Sequence, residues 1–441
     1  MQYSYKEIWI IVYPVLISLL MEHLIGMTDT AFLGRVGEIE LGASALGGVY
    51  YLAIYMLGFG FSMGAQIMIG RRNGEQKFDK IGDIFSQSAL FLIALAAVIF
   101  VLTKNFSPQI LRLLIQSDQI YEATLSYMDW RIYGFFFAFV NTIFRAFFVG
   151  TTNTKILTSN SVVMVLSNVL FNYMLIFGKF GCPALGIEGA AIGSSAAELV
   201  SLIFFIIYTW RKVDRKKYNL FRINRFKPKL LLHILDTSVW TMIQPFVSVT
   251  TWFLFFIAVE HLGERSLAIS NIVRSVSSLL FLTTMAFASI TSSLVSNLMG
   301  AGEQKQVKLL CRKMIKMCYY FVLPLIAIIY LFPELLLYIY TDNHSLITAS
   351  VPALLVMISA YIINVPANIL FNAVSGTGNT RSAFLLELAT LAVYVLYTVY
   401  MVLHLRVDVA IAWTTEHVYG FVMVILSFIY LKRANWQSKK I

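Results

Sequence analysis

Long runs of residues without a charge recur from one end of this chain to the other, and nothing else in it limits the possible folds so sharply. Phe85 to Thr103, for example, is apolar or uncharged throughout. A helix of about 20 such residues crosses the roughly 30 Å of bilayer hydrocarbon. The pattern predicts twelve helices, at 9–34, 43–70, 85–104, 123–149, 156–178, 187–210, 234–260, 268–299, 317–340, 351–375, 382–404 and 408–431. Of the 441 residues 59% are hydrophobic and only 13% charged, against about 25% charged in a soluble domain. A soluble protein of this length cannot hide that much apolar surface, so a soluble enzyme, a nucleic-acid binder and a disordered scaffold are excluded. The expected class is an all-α membrane protein. Lys6 ahead of an apolar run suggests a signal peptide, but no small-residue cleavage site follows and Glu22 and Asp29 interrupt the run, so the segment reads as a retained first span.

The net charge of +11 acquires its meaning from where the basic residues fall. With both termini cytoplasmic, the inner loops and tails hold 25 of the 34 lysines and arginines and the outer ones six. The other three, Arg131, Arg145 and Arg274, fall inside predicted helices. This is a positive-inside asymmetry, and the basic loops face anionic lipid. A multi-pass protein of the cell inner (plasma) membrane is expected. Three cysteines, Cys182, Cys311 and Cys318, make no disulfide framework and have no zinc-ligand spacing. There is no paired-aspartate, Ser–His or metal-histidine motif, so neither catalysis nor a cofactor is expected.

Short strings repeat at one separation. Gly74-Glu75-Gln76-Lys77 returns as Gly302-Glu303-Gln304-Lys305, 228 residues later; Gly150-Thr151-Thr152-Asn153-Thr154-Lys155 returns as Gly376-Thr377-Gly378-Asn379-Thr380-Arg381, 226 later. Gly37-Glu38, Leu41 and Ser44 are echoed by Gly263-Glu264, Leu267 and Ser270, again at 226. Six helices per half is an even number, so the halves share one orientation and are related by a pseudo-two-fold axis along the membrane normal. The expected organisation is an amino-terminal six-helix lobe over 1–210, a basic cytoplasmic linker over 211–230 and a carboxy-terminal lobe over 231–441. Paired bundles of this kind suit an alternating-access transporter with its sites near the midplane.

Polar residues inside hydrocarbon are costly and therefore mark function. Asp29 is the sharpest, because its counterpart at the 226 offset is Phe255 and the acid belongs to the first half alone. Asn168 and Asn172, four apart, share a helical face and could complete a hard-cation shell with Asp29 or simply hydrogen-bond between helices. Glu198, after the small-residue run Gly189 to Ser195, is either a proton relay or one member of a buried ion pair with Arg131 or Arg145. Glu416 repeats that pattern in the last helix. Gln244 and Asn364, close to Pro245 and Pro366, complete with Glu416 the candidates for a substrate cavity in the second half. Glu387, Glu22 and His23 carry no assignable role from sequence.

Taken together these strings resemble the multidrug and toxic compound extrusion (MATE) family from end to end. The matching pieces are Asp29-Thr30-Ala31-Phe32-Leu33-Gly34, Gly74-Glu75, the Gly150–Lys155 turn, the Asn168/Asn172 pair and Phe180-Gly181 with Gly186-Ile187-Glu188-Gly189-Ala190-Ala191-Ile192. The resemblance implies a cation-coupled antiporter, driven by Na+ or H+, that exports drugs or organic cations. It places the coupling ion or proton on Asp29, the fifth-helix pair on Asn168 and Asn172 and a hydroxyl ligand on Ser194. Glu198 resembles a feature of the DinF-like branch. Asn172 stands where part of the family has an aspartate, and Gln244 to Ser248 and Asn364 stand where some branches carry acids, so first-lobe coupling is expected. The partners implied are a small amphipathic or cationic molecule and membrane lipid, with no nucleic acid, and a monomer. A lipid-linked oligosaccharide or lipid flippase of the same superfamily is the alternative, and would call for a more cationic cavity than three arginines supply.

Overall fold

The computed structural model describes residues 2–221 and 226–439. Arg222 and Arg225 of the basic linker, and Lys440, lie outside the described residues. The chain is helical throughout: α1 (Tyr5–Leu33), α2 (Glu38–Gly74), α3 (Asp79–Leu114), α4 (Asp118–Arg131), α5 (Gly134–Gly150), α6 (Lys155–Phe177), α7 (Ile187–Lys212), α8 (Arg215–Tyr218), α9 (Pro228–Glu260), α10 (Glu264–Gly300), α11 (Val307–Leu331), α12 (Pro333–Leu337), α13 (His344–Gly376), α14 (Thr380–Thr398), α15 (Val409–Ala412) and α16 (Thr415–Arg433). Among the described residues eleven helical segments are long and apolar enough to cross a membrane. The pair α4 and α5, bent by 54° between them, makes twelve when counted as one span, the number expected from sequence. This is a multi-pass all-α membrane protein.

Local chemistry sets the ends. Ser117, Asn343 and Asp408 cap α4, α13 and α15, each side chain accepting from a backbone N–H of the first turn, which supplies a partner for an otherwise orphaned donor. Gly178 closes α6 at φ 68°, a left-handed conformation that costs glycine nothing. The ninth predicted span, 317–340, differs most from what forms. Its helix starts ten residues earlier, at Val307, and ends at Leu331, because Pro333 opens a separate short helix at its first position. The extra turns carry Lys308, Arg312, Lys313 and Lys316. A charge-free window stops at the edge of the hydrocarbon, whereas lysine and arginine are good helix formers and carry the helix on into water.

The chain separates into two compact units, one over Tyr13–Met242 and one over Met1–Val12 with Ile243–Ile441. In the first, α2 packs against α3, α4 and α5, and α6 lies along α7. Its core is aromatic: Phe61, Phe135, Phe139, Phe147 and Phe148 are fully buried. In the second, α10 packs against α13 and α13 against α16. The start of α1 belongs here because Trp9 stacks on Phe321 at 4.7 Å and Lys313 Nζ donates to the Tyr3 carbonyl at 2.7 Å.

Candidate functional site

Within the unit over 13–242, α6 and α7 approach closely because α7 opens with small residues. A Cβ on Gly193 would stand 2.4 Å from Asn172 Oδ1, and one on Gly189 would stand 2.5 Å from the Leu175 carbonyl. Only glycine permits that separation. It allows Asn168 and Asn172 of α6, both completely buried, to meet Ser194 of α7. Asp29, one turn before the end of α1, completes the group. Asn172 Nδ2 donates to Asp29 Oδ1 at 2.5 Å, and Ser194 Oγ donates to Asp29 Oδ2 at 3.2 Å. Asn168 Nδ2 donates to Ser194 Oγ at 3.1 Å, while Asn172 Nδ2 also reaches Asn168 Oδ1 at 3.3 Å. The four residues form one connected network, and Asn172 Oδ1 is buried with no hydrogen-bond partner among the described residues.

A cavity of about 670 Å³ opens beside this network. Asp29 lines it with Gly26, Thr30, Gly48, Tyr127 and Ala190 among others. Asp29 is itself only half-buried, so the carboxylate is anchored on one side and reachable on the other. Carboxylate, amide and hydroxyl oxygens are hard donors of the kind that bind alkali and alkaline-earth cations. A carboxylate fixed among neutral donors can equally take up a proton.

Glu198 lies on α7 one turn beyond Ser194 but is not hydrogen-bonded to that network. Arg131 grips it from α4, Nη2 to Oε1 at 2.6 Å and Nη1 to Oε2 at 2.9 Å. The Tyr51 hydroxyl donates to both oxygens at 3.1 Å, and the guanidinium carbon stands 3.7 Å from the Tyr51 ring centroid. Gly134 makes the pair possible, since a Cβ there would lie 2.3 Å from Arg131 Nη1. Arg131 also reaches Ser195 Oγ at 3.3 Å and acts electrostatically on Asp29. Arg145, the other arginine considered for Glu198, pairs instead with Glu22 at 2.8 Å.

In the second unit, Glu416 accepts from the Tyr394 hydroxyl at 3.2 Å. Asn364 is buried, its Oδ1 against Gly420 and without a hydrogen-bond partner among the described residues. Gln244 is half-buried, and its carbonyl accepts from Ser248 Oγ at 2.9 Å. No hydrogen bond joins these three to one another among the described residues. Glu387 is almost completely buried, accepting from Ser248 Oγ at 2.7 Å and from the Tyr419 hydroxyl at 3.2 Å. Sequence reasoning gives Glu387 no place and passes over Tyr51 entirely. A tyrosine in an apolar helix looks like any other aromatic until its hydroxyl has a partner.

The chain and its fold have known counterparts. The family model MatE matches residues 14–174 and again 241–401. A probable multidrug resistance protein NorM from Idiomarina loihiensis is 24% identical over 303 residues, 67% of this chain and 64% of that one. One from Photorhabdus laumondii is 23% identical over 385 residues, 86% and 83% of the two chains. Against the first of these, the chain spans less than two thirds of the relative's length. Among solved structures, an outward-facing multidrug resistance MATE family transporter of the MOP superfamily has a TM-score of 0.90 at 18% identity, covering 99% of this chain and 97% of that one. The eukaryotic MATE transporter AtDTX14 has a TM-score of 0.85 at 16% identity, covering 98% and 96%. These share the fold. One family model matched twice, at the spacing already set by the repeated strings, means that the chain belongs to the MatE family.

Proposed function

We propose that this protein is a cation-coupled antiporter, using Na+ or H+, that exports drugs or organic cations by alternating access. The observation that carries the reading is the Asp29 carboxylate, held by Asn172 and Ser194 on one side and open to a cavity on the other. A cation or proton on Asp29 draws on Asn168, Asn172 and Ser194 and rearranges their shared hydrogen bonds. Export follows when ion and drug stabilise different conformations through their differential affinities. A potential of 100 mV contributes about 2.3 kcal/mol for each charge moved, roughly fifty-fold in drug gradient. The lobes over 1–210 and 231–441 are the bodies that move, with 211–230 between them and both termini in the cytoplasm. Gln244, Asn364 and Glu416 serve the drug in the second lobe, Glu198 supports the ion site through Arg131, and affiliation with the DinF-like branch rests on Glu198. The protein works as a monomer, without cofactor or covalent chemistry.

The test is drug efflux from proteoliposomes under an imposed sodium or pH gradient. Efflux is expected with at least one gradient, and Asp29→Asn abolishes it while the protein stays inserted and folded. Full gradient-driven efflux in that variant rejects the role of Asp29.

A further inference from the structure

The two repeats differ in character at the place where the first has its cavity. Helices α2 and α10 start and stop at the same offset of 226 residues, Glu38 to Glu264 and Gly74 to Gly300. Gly26 and Thr30 of α1, with Ala45, Gly48 and Leu52 of α2, line the cavity that holds Asp29. At that offset their counterparts are Trp252 and Phe256 of α9, with Asn271, Arg274 and Ser278 of α10. Small and apolar side chains give way to two large rings, an amide, a guanidinium and a hydroxyl. Asp29 itself gives way to Phe255, so the local charge is reversed.

Arg274 is held on a platform. Its guanidinium carbon lies 5.7 Å from the Trp252 ring centroid and 5.6 Å from that of Phe256, inside the roughly 6 Å reach of a cation–π contact. The two rings pack edge to face at 4.7 Å. Yet Arg274 is exposed, as is Asn271 one turn earlier on the same face. Among the described residues Arg274 forms no ion pair. The Ser275 and Ser278 hydroxyls donate to carbonyls of their own helix, Asn271 and Ser275, and among the described residues neither oxygen accepts from the guanidinium. An exposed guanidinium without an ion pair keeps a planar fork of donors that matches a carboxylate, sulfonate or phosphate.

We propose that this face of α10 binds the anionic group of an aromatic, amphipathic small molecule, with the anion on Arg274 and Asn271 and the ring against Trp252. A lipid phosphate would use the guanidinium alone; the ring and the amide beside it suit a flat organic anion. The consequence, that the exporter takes anionic or zwitterionic drugs as well as cationic ones, rests on the transport reading above. The binding does not.

The experiment is equilibrium dialysis of 1-naphthalenesulfonate against the full chain in a maltoside detergent, with thermal melting as the control for folding. Arg274→Gln is expected to weaken binding about tenfold, the loss of one charge-assisted contact, at an unchanged melting temperature. Equal affinity in the variant overturns the proposal, and so does equally tight binding of the neutral 1-naphthalenemethanol by the wild type. If Arg274→Gln does not fold, Asn271→Asp reads the same site, because a carboxylate one turn away competes for the guanidinium; undiminished sulfonate binding there is equally fatal. Repetition in phosphatidylcholine nanodiscs separates the sources of the anion. Binding should persist, whereas its disappearance would assign the site to lipid phosphate and overturn the proposal. A failure of gradient-driven efflux would leave all these affinities untouched and count against the transport reading alone.

Discussion

Asp29 and Glu198 are both carboxylates inside apolar helices of one unit, and what separates them is the counter-charge. Glu198 has a bidentate guanidinium and a tyrosine hydroxyl, while among the described residues Asp29 has only neutral donors in hydrogen-bonding contact. Removing one member of a buried pair strands the other at a cost of about 3–5 kcal/mol, whereas replacing both with apolar residues of similar size is close to neutral. Glu198→Gln or Arg131→Met alone should therefore lower the melting temperature markedly, and Arg131→Met with Glu198→Met should recover most of the loss. If the double variant is as unstable as either single one, the pair is not what anchors α4 to α7. Sequence marks both acids, because an acid in an apolar helix is conspicuous by itself. It does not choose Arg131 over Arg145 as the partner of Glu198, since both lie more than fifty positions away and only the bend between α4 and α5 brings one of them in.

At the scale of elements, the ion-site candidate depends on how closely two helices can run. The path of α7 along α6 is set by Gly189 and Gly193, and the small-residue run from Gly189 to Ser195 makes a close helix contact legible in the sequence alone. Gly193→Ala should force a Cβ against Asn172 Oδ1 and the backbone beside it. The expected cost is about 1–3 kcal/mol, as for other overpacked sites, together with reduced gradient-driven efflux, measured by thermal melting and proteoliposome transport. Wild-type stability and efflux would show that α6 and α7 have room to spare. Helix ends are less legible. The extension of α11 back to Val307 and the bend at 132–133 lie where hydropathy is silent: charged turns continue a helix in water, and Gly134 follows a break that no proline marks.

For the whole molecule, the arrangement of lysine and arginine makes a prediction about topology. In a chain freed of Cys182, Cys311 and Cys318, a single cysteine at Lys216 should react with a membrane-impermeant maleimide only after the cells are opened, and one at Arg406 should react in intact cells. The opposite pattern would reverse the orientation. The membrane class, the number of spans and the duplication are legible in the chain alone, and Asp29 stands out there as a candidate, because hydropathy, periodicity and an isolated charge are local properties that survive without knowledge of neighbours. Only the folded arrangement reveals that Asn172 and Ser194 hold that carboxylate, that Arg131 neutralises Glu198, that Glu387 is buried against Ser248 and Tyr419, and that Arg274 stands on two aromatic rings without an ion pair among the described residues. Those are pairings between residues far apart in the chain, and the distance between two side chains is set by how the helices pack.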